Sequence, residues 1–178
     1  MPRFHLDRRV RNLERVLEVF RLAPRRDMIL YMWRCVVPAD WPANDASRSR
    51  NYAGRWHHPA DSEALYCAAT PELATAEATD RRLPGVYQAT MAPLELHGRQ
   101  VVRLEDVASR LPWSLEHLLS DGLGYARAIL VGVMACRTGI DILVAPSARQ
   151  RGAEIAVCFM KHDPFITVGD GYRTTLIV

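Results

Sequence analysis

Lysine is nearly missing from this chain: one residue, Lys161, against 22 arginines, with a net charge of only +3. A bias this uniform reads as coding preference rather than function. No Cys-x-x-Cys pair occurs. The four cysteines Cys35, Cys67, Cys136 and Cys158 are far apart and each sits in an apolar segment. That pattern predicts buried reduced thiols instead of a disulfide framework. No Gly-x-Gly-x-x-Gly follows a strand and no Gly-x-x-x-x-Gly-Lys-Ser/Thr is present, which argues against conventional dinucleotide-binding and P-loop folds. The longest apolar run, Ala128 to Cys136, falls far short of a membrane span. The chain opens on Pro2 and Arg3 rather than an apolar signal region. A cytoplasmic protein is the expectation. Internal repeats and low-complexity runs are absent too.

What is present is an ordinary globular composition, 49% apolar and 24% charged over 178 residues. That length suits one domain burying about 70% of the surface of its unfolded chain. Val10, Leu13, Val16, Leu17 and Phe20 recur at helical spacing, so a helix over about 7–21 covers the core at the N-terminus. Seven arginines lie between Arg8 and Arg26. Interleaved with Asp7, Glu14 and Glu18, they read as that helix's solvated face more than as a nucleic-acid patch. Residues 29–37 read as a strand carrying Arg34, and 38–53 as a polar loop, mobile before ligand arrives, with Arg48 and Arg50 solvated. A short strand over 64–69 precedes a helix from Pro71 to about Asp80, capped by Thr70. Strands follow over 85–92 and 99–104, with a turn or strand at 94–98. After a polar region, 114–121, come a buried helix over 123–137 closed by Gly139, core strands at 142–145 and 155–160, and edge strands at 165–168 and 172–178. Strands outnumber helices and are often consecutive, which predicts an α+β domain with a mixed, mostly antiparallel sheet and flanking helices.

Several residues carry chemistry. Arg34 and Arg55 each offer a planar fork of donors that suits phosphate oxygens, although Arg34 would equally serve a buried acid such as Glu77 and Arg55 a surface turn. Gly54 permits close backbone approach or a positive φ, or is simply a turn glycine. Tyr66 is either a core aromatic or a ring that stacks on a nicotinamide or adenine and orients a ribose through its hydroxyl. Glu77 lacks an obvious lysine partner. On an exposed helix face it would be unremarked; in a pocket its carboxylate would stabilise the positive charge of an oxocarbenium-like state. Ser147, just after the apolar run Leu143–Ala145 and Pro146, is a turn serine or a group that bonds phosphate or ribose. It lacks the surroundings of an acylating nucleophile. His57 and His58 point to opposite sides of an extended chain, so no metal site is expected. Asp40, Asp45 and Glu63 receive no role.

Taken together, Trp33-Arg34, Gly54-Arg55-Trp56, Leu65-Tyr66-Cys67-Ala68, Glu77 and Val144-Ala145-Pro146-Ser147-Ala148 resemble the RES family in order and spacing. That family is named for an arginine, a glutamate and a serine, and occurs as toxins of bacterial toxin–antitoxin pairs. The resemblance covers about residues 28–160, with 1–27 as helical cover and 161–178 as C-terminal strands of one 1–178 domain. It implies an ADP-ribosyltransferase-like fold that consumes NAD as substrate, with no prosthetic group. Arg34 and Arg55 would bind phosphate or ribose, Tyr66 would face the nicotinamide end, Glu77 would assist cleavage and Ser147 would complete the site. Glu77, Arg34 and Tyr66 form the implied catalytic set; Arg34, Arg55, Tyr66 and Ser147 the NAD-binding set. The implied activity is toxic NAD depletion by hydrolysis or phosphorolysis, or else transfer of ADP-ribose to a protein. The implied partner is an Xre-type antitoxin that blocks the pocket, with DNA reached only through it. Three departures stand out: Cys35, where an aromatic is frequent, removes a ring contact, while His57-His58-Pro59 in place of Asn-Pro and Glu154 near a common asparagine bear on the acceptor.

Overall fold

A computed structural model describes residues 3–79 and 84–178, with side chains described from Val10 onward. Helix α1 (Arg3–Arg21) lies over the core through Val16, Val19 and Phe20, each 6% exposed or less. Their spacing at i, i+3 and i+4 turns one face inward against α5 (Leu123–Arg137). Arg15 donates to the carbonyl of Arg110, so this arginine ties the helix down. The side chains of Arg8 and Arg9 lie outside the described residues.

The strands are β1 (Arg26–Val36), β2 (Ala64–Ala68), β3 (Val86–Arg103), β4 (Ile142–Pro146), β5 (Glu154–Phe159), β6 (Phe165–Val168) and β7 (Tyr172–Ile177), all in one sheet. Only the β3–β4 pair is parallel; the other pairings are antiparallel. β3 is the spine. One edge pairs with β1 from Val36 opposite Thr90 to Arg26 opposite Val101, while the other takes β7, β6 and β4 in turn. β1 also meets β2, β2 pairs β5 and β5 pairs β4, so the circuit β1–β2–β5–β4–β3 closes on itself. The seam is narrow: a single register pair, Trp33 opposite Ala68, joins β1 to β2.

Closure explains the two larger apolar cores. Leu30, Met32, Val36, Leu65, Cys67, Leu94, Leu96, Ile142, Val144, Ala156 and Cys158 fill the inside of the ring. Residues of opposite parity, including Ala64, Ala68, Leu143, Ile155, Val157 and Phe159, face the helices. Strand alternation puts both sets on the same strands. All four cysteines are free thiols. The Cys158 thiol is pushed well above its usual pKa by its hydrogen bond with Cys67 and by burial. Cys35 departs from the expectation of burial, being only partly covered.

Of the two readings given for residues 94–98, strand is the one that applies: β1 pairs with all five and β6 with 94–97. Pro93, which lacks an N–H, falls between the β7 and β6 ladders, so one unbroken strand passes through it. The polar region 114–121 contains helix α4 (Leu115–Leu119), preceded by the short α3 (Leu104–Val107) after β3. Ser114 caps α4 by accepting the N–H of His117 at 3.2 Å, a signal present in Ser114-Leu-Glu-His. Helix α2 (Pro71–Thr79) forms as expected, with the Thr70 hydroxyl accepting the Leu73 N–H at 3.2 Å. Asp80, its expected end, lies outside the described residues. Among the described residues no helix is long and apolar enough to cross a membrane.

Candidate functional site

Beside the β1–β2 seam lie three adjoining cavities of about 370, 240 and 300 Å³. Glu77 lines all three. Its helix, α2, buries Leu73 and Ala74 against β1 and β2, and Glu77 follows on the same face one turn later. The carboxylate is held from behind: the Ser147 hydroxyl donates to Glu77 Oε1 at 2.9 Å. Ser147 stands just after β4, is 4% exposed, and accepts the backbone N–H groups of Arg149 (3.0 Å) and Gln150 (3.3 Å). Its own N–H reaches the Ala153 carbonyl at 2.8 Å. With its one proton on Glu77 and its oxygen receiving two amides, Ser147 orients the carboxylate. It does not line the three cavities.

Tyr66, central on β2, projects to the helix-facing side and walls the first and second cavities. Its hydroxyl is already engaged. The Trp56 N–H donates to it at 3.0 Å and His57 Nδ1 lies 3.0 Å away. Burial pushes the phenol pKa far up, so it stays neutral. The hydroxyl is thus bonded within the protein, while Tyr66 as a residue lines the cavity. Gly54 is glycine for reasons of space: a Cβ there would meet the Tyr66 hydroxyl at 2.4 Å and His57 Nδ1 at 2.8 Å. Of the two readings given for Gly54, close approach is the one that applies.

Arg34 shares β1 parity with Met32 and Val36, so its stem leaves the ring interior and its head reaches the first and third cavities. It donates to the Ala43 carbonyl at 2.6 Å. Burial lowers its pKa, an effect countered by Cys67 and by the Asp45 carboxylate. Arginine remains charged under such pressure, which leaves a cation at the cavity floor.

Arg55 departs from a simple phosphate fork. Nη1 donates to the carbonyls of Leu118 and Ser120, both at 2.9 Å, and Nη2 reaches Asp121 at 3.2 Å. These carbonyls lie at the C-terminal end of α4, where a cation also suits the helix dipole. The guanidinium lies over the Tyr125 ring, 5.0 Å from its centroid, on the wall of the second cavity.

Arg48, expected to be solvated, lines the first and third cavities. It donates to the Val37 carbonyl and lies over the Trp41 ring, 4.8 Å from its centroid. The loop that carries it is tied down rather than loose. Asp45 accepts the Ser47 N–H at 2.7 Å, the Ser47 hydroxyl at 3.0 Å and the Trp41 indole N–H. The Ser47 N–H above all holds the Asp45 carboxyl below its usual pKa. Thr90 adds a bond to the Ala39 carbonyl at 2.6 Å, and the Ala64 N–H one to the Ser49 hydroxyl at 2.8 Å. Arg50 pairs with Glu63. The signal for Arg48 was the aromatic seven residues earlier, visible only once the loop folds back.

Glu154 forms an ion pair with Arg103 and is not among the residues lining the three cavities. His57 and His58 separate as expected: His57 is 3% exposed, His58 is at the surface. Among the described residues no three of His, Cys, Asp and Glu gather to hold a metal ion. The site thus combines a carboxylate braced by a hydroxyl, an aromatic wall and the arginines Arg34, Arg48 and Arg55. Such a set can bind an anion, seat a flat ring and stabilise positive charge between them.

Among solved structures the fold is similar to a chain of the M. tuberculosis MbcT–MbcA toxin–antitoxin complex. The TM-score is 0.72 at 13% identity, covering 90% of this chain and 92% of that one. No curated protein matches the sequence. The RES domain model matches residues 31–175, from β1 into β7. By that match, over most of its length, the chain belongs to the RES domain family.

Proposed function

We propose that this protein is the toxin of a toxin–antitoxin pair and cleaves the nicotinamide–ribose bond of NAD. The observation that carries the reading is the Glu77 carboxylate, held at 2.9 Å by Ser147 where three cavities meet. The first cavity, about 370 Å³, lies within the usual range for small-molecule sites. The nicotinamide ring packs against Tyr66, and Arg34 and Arg48 take the negative charge of the pyrophosphate. As the glycosidic bond breaks, its electron pair leaves with neutral nicotinamide and positive charge develops on the ribose carbon. Glu77 stabilises that charge. Water then adds to the carbon and loses a proton, giving ADP-ribose; phosphate adding in its place gives the phosphorylated sugar. Ser147 acts through Glu77, and Arg55 by holding the wall of the second cavity.

The test incubates purified protein with NAD labelled in the adenylate half, with and without phosphate and cell lysate. Expected are free nicotinamide and labelled ADP-ribose or its phosphate. Label on a protein band would instead make the protein a mono-ADP-ribosyltransferase, and intact NAD would end the NAD reading altogether. On this reading expression arrests growth, and co-expression of the cognate antitoxin, of Xre type and seated over the pocket, restores it. The neighbouring fold of a toxin–antitoxin complex supports that partner.

Ser147→Ala removes one charge-assisted hydrogen bond and leaves the amides of Arg149 and Gln150 without their acceptor. A loss of roughly 2 kcal/mol, or about 10- to 100-fold in rate, is expected. Steady-state nicotinamide release measures it. An unchanged rate would make the serine a mere loop residue.

A further inference from the structure

A neutral imidazole has one donor and one acceptor nitrogen, and its neighbours decide which is which. At His57 they leave one arrangement. The Gly54 backbone N–H, which can only donate, points at Nδ1 from 3.1 Å. The Ser49 carbonyl, which can only accept, faces Nε2 at 3.2 Å. The ring proton is therefore on Nε2. With Nδ1 an acceptor, the Tyr66 hydroxyl 3.0 Å away donates to it, and the Tyr66 oxygen accepts the Trp56 N–H. Burial lowers the His57 pKa, which agrees with a ring uncharged at neutral pH.

The position of this ring in the fold gives the arrangement its consequence. His57 lines the first cavity and stands with its ring centroid 5.5 Å from that of Tyr66. Through Nδ1 it fixes the Tyr66 hydroxyl and the turn that begins at Gly54. Through Nε2 it is bonded to the Ser47–Arg50 turn, which carries Arg48. Two walls of the cavity that share no strand or helix are thus spaced by one imidazole.

We propose that His57, as the Nε2–H tautomer, is a positioning residue that sets the Tyr66 ring and the Arg48-bearing turn against each other, and so governs how the nicotinamide end of NAD is seated. The consequence for NAD rests on the function proposed above; the positioning itself does not.

Two substitutions separate acceptor from bulk. His57→Asn keeps an acceptor oxygen close to where Nδ1 sits, together with an N–H donor. His57→Leu keeps similar volume with neither. In the NAD-free wild-type protein at neutral pH, long-range proton–nitrogen NMR is expected to show His57 Nδ1 unprotonated and Nε2 protonated. The reverse tautomer or a charged ring overturns the proposal. The ring signals of carbon-labelled Tyr66 are expected to shift in His57→Leu and return towards wild type in His57→Asn. Signals that move equally in both, or in neither, overturn it as well. In nicotinamide release, the leucine variant is expected to raise KM about tenfold or more, as buried donors lose their acceptor, with a smaller change in kcat. The asparagine variant should recover most of that. Equal kinetics for the two variants would reduce His57 to packing. Should wild-type protein leave NAD intact, the NAD reading fails alone, and the NMR results still decide the role of His57.

Discussion

Glu77→Gln is expected to lower nicotinamide release from NAD by about 10²- to 10³-fold, the usual consequence of removing one group that stabilises transition-state charge. The substitution preserves volume. The Ser147 hydroxyl, which reaches Glu77 Oε1 at 2.9 Å, still has an amide oxygen to donate to. What disappears is the negative charge where the three cavities meet. The effect should therefore fall on kcat, with the melting temperature close to that of wild type. KM should change less, since the arginines and the Tyr66 ring that seat the substrate remain. Purified variant and wild type compared under saturating NAD decide the matter, with a thermal melt as control. A variant retaining more than a tenth of the wild-type kcat would remove Glu77 from the chemistry.

The second large effect is on stability. Gly132 lies in α5, where its missing side chain lets the helix rest directly on the backbone of Trp56. A Cβ there would stand 1.8 Å from the Trp56 carbonyl oxygen and 2.4 Å from its carbon. Two terms oppose each other in Gly132→Ala. Helix propensity favours alanine by about 1 kcal/mol. Overpacking costs about 1–3 kcal/mol, and belongs at the upper end here because the obstacle is backbone, with no rotamer to turn aside. A net loss of roughly 2 kcal/mol follows. The urea midpoint should drop with little change in slope. The chain that must yield leads from Trp56 directly into His57, so whatever variant protein folds should also bind NAD more weakly. A midpoint at or above that of wild type would refute this reading of Gly132.

Much of the fold was legible because it is written locally. Thr70-Pro71-Glu72 announces α2, short apolar runs mark β1 and β5, and the apolar spacing of Val16 and Phe20 declares which face of α1 is covered. The choice between turn and strand at 94–98 was not legible, since residues 94–97 are held extended by strands from both ends of the chain. The site divides in the same way. Arg34, Tyr66 and Glu77 were visible as residue types in order, and they do converge on one cavity. Their partners were not visible. That Ser147 faces Glu77, that Arg55 holds the end of α4, and that Arg48 and His57 belong to the cavity are relations between segments far apart in sequence, fixed only when the ring closes.

The walls of the first cavity run from Trp33 on β1 to Ile155 on β5, with Ser147 bracing Glu77 from the hairpin between β4 and β5. Translation delivers these pieces in that order. A nascent chain that has emerged only as far as Pro146 carries Arg34, Arg48, Tyr66 and Glu77, but lacks β5, the strand that joins β2 to β4 and closes the ring. The cavity takes shape only once β5 has emerged to pair with β2. On the function proposed above, a shorter nascent chain holds the reactive side chains without the brace that aims Glu77, and so carries them harmlessly.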